Sequence, residues 1–163
     1  MTINRLIEGF RSFRSSYYDE QPDFYQDLVD NGQKPDVMVI ACSDSRVNPS
    51  IIAKARPGEL FIVRNVANLV PPYQPDSHYH GTSAAIEFAI RDLKVQHVIV
   101  LGHSHCGGIQ CLCDGHVGGE SREFIEDWVS IVQEARDDSL EGTAQYRHVE
   151  REAVRISLRN LMT

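Results

Sequence analysis

Apolar positions along this chain follow two different rhythms. Over residues 3–13, Ile3, Leu6, Ile7, Phe10 and Phe13 recur at the spacing of a one-sided helix. The polar stretch 14–21, closed by Pro22, predicts a break. A second short helix is expected over 23–29, stopping at Asn31-Gly32. The rhythm then changes to short unbroken apolar runs at 37–41, 60–63 and 98–101, which read as buried strands. Between them, Asn48-Pro49 opens a short helix over 50–55, and Pro57-Gly58 turns the chain. Residues 70–80, with Pro71, Pro72 and Pro75, are expected to be irregular. Thr82 is expected to cap a helix over 83–93 whose stripe is Ala85, Ile86, Ala89, Ile90 and Leu93. Gly107-Gly108 opens a helix to about Cys113, 114–121 reads as a glycine-rich loop, and helices are expected over 122–136 and 143–161.

Strands alternating with helices predict an α/β fold: a central, mostly parallel sheet flanked by helices, with an N-terminal helical arm over 1–35. The 163 residues are read as one domain. In open parallel sheets, ligands collect beyond the carboxyl ends of the strands.

Two segments stand at those ends. Cys42-Ser43-Asp44-Ser45-Arg46 follows the first strand, and His103-Ser104-His105-Cys106 follows the third. Two thiolates and one imidazole make a three-ligand zinc set that keeps a fourth position for water or substrate. The His103-x-x-Cys106 spacing lets one turn present both ligands to one metal. Two thiolates neutralise the formal charge of the ion and weaken it as a Lewis acid. A bound water then needs help, which Asp44 supplies by accepting its hydrogen bond while Arg46 holds Asp44. If Asp44 left Arg46, its carboxylate would become a fourth zinc ligand in a closed state.

Charge and composition narrow the field. A net charge of -7 argues against a nucleic-acid partner. No apolar run approaches the ~20 residues of a membrane span, and the N-terminus lacks a signal-peptide core. A cytoplasmic location is expected. There, the four cysteines are read as metal ligands or free thiols rather than disulfides. Cys111 and Cys113 are expected to point apart on their helix, one into the core and one to the surface. Of the remaining histidines, His105 is the nearest candidate to relay protons; His78, His80, His97, His116 and His148 are read as bystanders.

Cys42-Ser-Asp-Ser-Arg46 together with His103-Ser-His-Cys-Gly-Gly108 resembles the β-class carbonic anhydrases. The likeness extends to Arg64-Asn-Val-Ala-Asn68, Gly81-Thr-Ser-Ala-Ala-Ile-Glu87 and Glu150-Arg-Glu-Ala-Val154. It implies one zinc ion per chain on Cys42, His103 and Cys106, with Asp44 and Arg46 as the catalytic dyad. The implied activity is reversible hydration of carbon dioxide to bicarbonate and a proton by a zinc-bound hydroxide. The plant-like subgroup further implies a substrate pocket of Gln33, Phe61, Val66, Phe88 and the Gly107 amide. That pocket would be shared across a homodimer or higher homo-oligomer, such as a tetramer, with the N-terminal helix wrapping the partner.

Val39 stands where members with a bicarbonate-inhibition pocket carry tryptophan, so that regulation is not expected although Arg64 is present. The chain ends at Thr163, short of the strand and helices with which the family usually continues. Two rival readings keep the scaffold: hydrolysis of carbonyl sulfide or carbon disulfide, and a non-catalytic zinc domain. The intact Asp44 and Arg46 argue against the second.

Overall fold

The structure is a computed structural model describing residues 1–115 and 122–163. It divides into two compact units, Met1–Lys34 and Pro35–Thr163.

The first unit is a pair of helices, α1 (Ile3–Arg14) and α2 (Pro22–Asn31). Thr2 accepts a hydrogen bond from the Arg5 amide and caps α1, and Pro22 opens α2 with its fixed φ. The expected break at 14–21 is only partial. Residues Ser15–Asp19 continue from α1 as a wider π-helical turn. That turn sets Tyr17 and Tyr18 against Phe13 and Tyr25, with the Tyr18 and Tyr25 rings stacked at 4.7 Å. Aromatic packing of this kind outweighs the polar character of the intervening residues. Gly32, at φ 69°, ends α2 where a side chain would be strained.

The second unit is built on three parallel strands, β1 (Val37–Cys42), β2 (Leu60–Asn65) and β3 (His97–Leu101), in the order β2-β1-β3. The central strand is the most apolar and the most buried; Met38, Ile40 and Ala41 are fully enclosed. Ala41 pairs with Leu101 on one side, and Cys42 with Asn65 on the other. Two apolar clusters form the core. Met38, Ile40, Val70 and Ala89 centre one of them. The other joins Cys42, Cys106, Ile109, Val149 and Ala153.

The helices of this unit are α3 (Pro49–Ala53), α4 (Gly81–Glu87), α5 (Gly107–Asp114), α6 (Ile125–Ser130) and α7 (Gly142–Leu161). Three of them differ from expectation. Lys54, in the left-handed region at φ 53°, stops α3 earlier than residue 55. Thr82 does not cap α4 but lies one residue inside it, after His80 at the N-cap position, and its hydroxyl accepts a hydrogen bond from Asn65 Nδ2 at 3.3 Å. The helix starts at Gly81 and continues after Glu87 as a π-turn, Phe88–Asp92. The helix expected over 122–136 is shorter, α6 followed by a 3₁₀ turn at Gln133–Ala135. Cys111 and Cys113 are both half-buried rather than one in and one out. His116 and most of the glycine-rich loop fall outside the described residues.

Candidate metal centre

Cys42 is the last residue of β1, His103 lies just beyond β3, and Cys106 caps the start of α5. Because β1 and β3 run parallel and adjacent, their carboxyl ends deliver these residues to one place. One ligand atom from each lies within 4.8 Å of the others. The two sulfurs are 3.9 Å apart, far beyond bonding distance for a disulfide. Two ~2.3 Å zinc–sulfur bonds at a tetrahedral angle would place them about 3.8 Å apart, so this spacing suits a zinc ion.

The histidine fits as well. His103 Nδ1 lies 2.9 Å from the Ser104 carbonyl oxygen, which can only accept, so Nδ1 carries the proton. Nε2 is thereby left as a lone pair. It is buried and, among the described residues, has no hydrogen-bond partner, a state that costs free energy unless a metal takes the lone pair.

The thiols titrate as a pair. The hydrogen bond from Cys106 is the main force holding Cys42 below the ordinary thiol range, against the cost of burial. The same bond, followed by burial, pushes Cys106 up. Two anionic sulfurs this close repel, so the second proton leaves only when a cation arrives.

Backbone groups hold the ligands in place. The Asp44 amide donates to the Cys42 sulfur at 3.4 Å, and the Cys106 amide donates to Glu150 Oε1 at 3.0 Å. Arg64 reaches back from β2 to clamp the loop that carries the first motif. Its Nε donates to the Cys42 carbonyl at 2.9 Å, and its Nη2 donates to the carbonyls of Asp44 at 2.6 Å and Val47 at 3.0 Å.

Beside the ligands, Arg46 pairs with both carboxylate oxygens of Asp44, through Nε at 2.9 Å and Nη2 at 2.7 Å. The Arg46 amide adds a third bond to Asp44 Oδ1, at 2.9 Å. These bonds, the Arg46 side chain first, hold the Asp44 carboxyl well below the usual carboxylate range. Asp44 faces Arg46 and is outside the three-ligand group.

The profile of the carbonic anhydrase family matches residues 37–163. The chain belongs to the β-class carbonic anhydrases. Beta carbonic anhydrase 3 of Arabidopsis thaliana is 40% identical over 171 residues, covering 99% of this chain and 65% of that protein. The chloroplastic beta carbonic anhydrase 5 of the same plant is also 40% identical, over 96% of this chain and 53% of its own length. The chain thus spans between half and two thirds of these curated relatives. Among solved structures, the beta-carbonic anhydrase CcaA superimposes with a TM-score of 0.88 at 34% identity, covering 99% of this chain and 74% of the other. A tetrameric β-carbonic anhydrase of Sordaria macrospora gives 0.82 at 28% identity, covering 98% and 80%.

The residues assigned to substrate by resemblance are less concentrated. Phe61 and Phe88 are neighbours, with ring centroids 6.0 Å apart. Val66 and Phe88 are 37% and 43% exposed, so this chain leaves that wall open. Gln33 belongs to the other compact unit. A cavity of 470 Å³ opens beside His103, against Ser104, Arg147, Glu150 and Arg151, and none of the residues assigned to substrate lines it. His105 is exposed, with its backbone in the left-handed region at φ 53°. Arg64 and Glu150 open two of the stretches that carry the family likeness, but their clamping and accepting contacts are not readable from those stretches, and Trp128 lies in none of them.

Proposed function

We propose that this chain catalyses the reversible hydration of carbon dioxide to bicarbonate, with one zinc ion held by Cys42, His103 and Cys106. The observation that carries this reading is the placement of the Asp44–Arg46 pair directly beside a three-residue group that, among the described residues, has no fourth ligand from the protein. A structural zinc site would close its coordination with a fourth side chain. The zinc, when bound, supplies a Lewis acid that makes water acidic enough to react near neutral pH.

The chain's own residues do the rest. Asp44, kept ionised by Arg46, accepts a hydrogen bond from the reacting water and fixes its direction. A carboxylate held this far below its ordinary range is a poor proton acceptor, so it orients rather than abstracts. The proton leaves to solvent by another route, for which exposed His105 is the candidate relay. Phe61, Val66 and Phe88 supply an apolar wall suited to an uncharged, weakly polar substrate, and the Gly107 amide at the start of α5 faces the developing anion. In a homodimer or a larger assembly, such as the tetramer of the Sordaria relative, the partner's copy of the arm brings the partner's Gln33 to complete the pocket.

The test combines metal analysis with stopped-flow carbon dioxide hydration. About one zinc per chain and a rate that disappears on chelation and returns with zinc are expected. Stoichiometric zinc with no hydration of carbon dioxide anywhere between about pH 7 and 9 would refute this reading, and a sulfide-release assay would then separate carbonyl sulfide or carbon disulfide hydrolysis from a non-catalytic zinc domain.

A further inference from the structure

Beyond the ligands, one side chain reaches the centre indirectly. Between β2 and the irregular segment that follows, residues Val66–Asn68 form a tight turn. Ala67 and Asn68 both sit in the left-handed region, at φ 64° and 49°, although neither is glycine. Such a turn persists only where its surroundings hold it. It cannot drift towards α5 either. A Cβ on Gly108 would lie 2.6 Å from Val66 Cγ1 and 3.1 Å from Ala67 Cβ. The turn therefore touches the backbone that presents Cys106, and Ala67 shares a buried cluster with Cys42 and Cys106.

Two clamps hold this turn. Asn65 spans it from within: Nδ2 donates to the Leu69 carbonyl at 2.8 Å, and Oδ1 accepts from the Leu69 amide at 2.9 Å. The second comes from a distant helix. Trp128, on α6, packs against the same cluster and donates its indole N–H to the Val66 carbonyl oxygen at 2.7 Å.

We infer that Trp128 is a positioning residue for the metal centre. Its indole N–H fixes the Val66–Asn68 turn, and that turn sets both the apolar wall at Val66 and the packing of Ala67 against the two cysteine ligands. The inference rests on Cys42, His103 and Cys106 being the metal ligands. It does not require that carbon dioxide be the substrate.

Trp128 is the single tryptophan of the chain, so residue-specific incorporation of a tryptophan analogue alters this position alone. Replacing it with benzothienylalanine keeps the ring volume and removes the N–H. Trp128→Phe removes the N–H and part of the ring. The expected result is a folded protein that releases zinc to a chelator about 10-fold faster. Its cobalt-substituted form is expected to show shifted thiolate-to-metal and d–d bands. The turnover number is expected to fall more than KM rises.

Cobalt spectrum, zinc release and turnover number all unchanged in the folded analogue protein would overturn the inference. Failure of the analogue protein to fold would overturn it too, by making the bond a scaffold contact. If Trp128→Phe alone fails to fold, the analogue decides. A wild-type chain that binds zinc without hydrating carbon dioxide would refute the proposed function, and the release and spectral tests would still stand.

Discussion

Arg46 reaches past Asp44 to donate from Nη2 to the backbone carbonyl of His105, 2.8 Å away and 59 residues along the chain. The same nitrogen serves the Asp44 carboxylate. One guanidinium thus ties the Asp44 carboxylate of the first motif to the loop that carries His103 and Cys106 of the second. The left-handed backbone of His105 is what turns its carbonyl towards Arg46.

Arg46→Ala removes the partner of Asp44 and the tie to His105, but no metal ligand. Zinc content is expected to stay near one per chain while the turnover number falls about 100-fold or more. Metal analysis alongside stopped-flow rates checks this, and full activity at normal zinc content would exclude the pair from the reaction.

Arg64 holds three carbonyls of the loop between Cys42 and Val47. Charge-assisted bonds of this kind contribute more than neutral ones, and they add less than fully. Arg64→Ala is expected to cost about 2 kcal/mol in urea unfolding at an unchanged m-value. Lysine, a point charge without the fork, is expected to restore less than half.

Gly108→Ala tests the contact between α5 and the Val66–Asn68 turn. The added methyl meets Val66 Cγ1 at 2.6 Å, so the turn or the helix must shift. A loss of about 1–3 kcal/mol is expected. Gly107→Ala is the control, because outside its chain neighbours and its own helix backbone no described atom lies within 4 Å of the added carbon. Equal stability of the two variants would contradict the packing described.

Asp76 offers a pH-dependent test away from the metal. Hydrogen bonds from His80 first, then from the His78 amide, depress its carboxyl below the ordinary range. A depressed folded-state pKa contributes stability above the unfolded value of about 4 and loses it as pH falls towards the folded value. Asp76→Asn is therefore expected to be less stable than the wild type at about pH 5. The gap should narrow as pH drops below about 4. Thermal melts of both proteins across that range check the sign, and a gap that widens on acidification would refute it.

The strands and the convergence of Cys42, His103 and Cys106 were legible in the sequence for a simple physical reason. Short unbroken apolar runs such as 37–41, bounded by turn signals, suit a covered sheet, and Cys42 follows one directly while His103 follows another after Gly102. What escaped depended on partners distant along the chain. The polar-looking stretch after Arg14 stays helical because Tyr17 and Tyr18 find Phe13 and Tyr25. Thr82 has the composition of a cap, yet its hydroxyl is engaged by Asn65. Arg64, Trp128 and Glu150 act through contacts 22, 62 and 44 residues away, which no local pattern reveals.

The parallel pairing of β1 with β3 carries one further consequence. Successive residues of a strand point to opposite sides, so deleting or inserting one residue within β1 would swing the Cys42 sulfur away from its companions while leaving the composition of the strand almost intact. The chemistry of this molecule is therefore sensitive to parity. Exchanges of one aliphatic residue for another along β1 are tolerable in principle, whereas a change in its length by a single step disarms the centre.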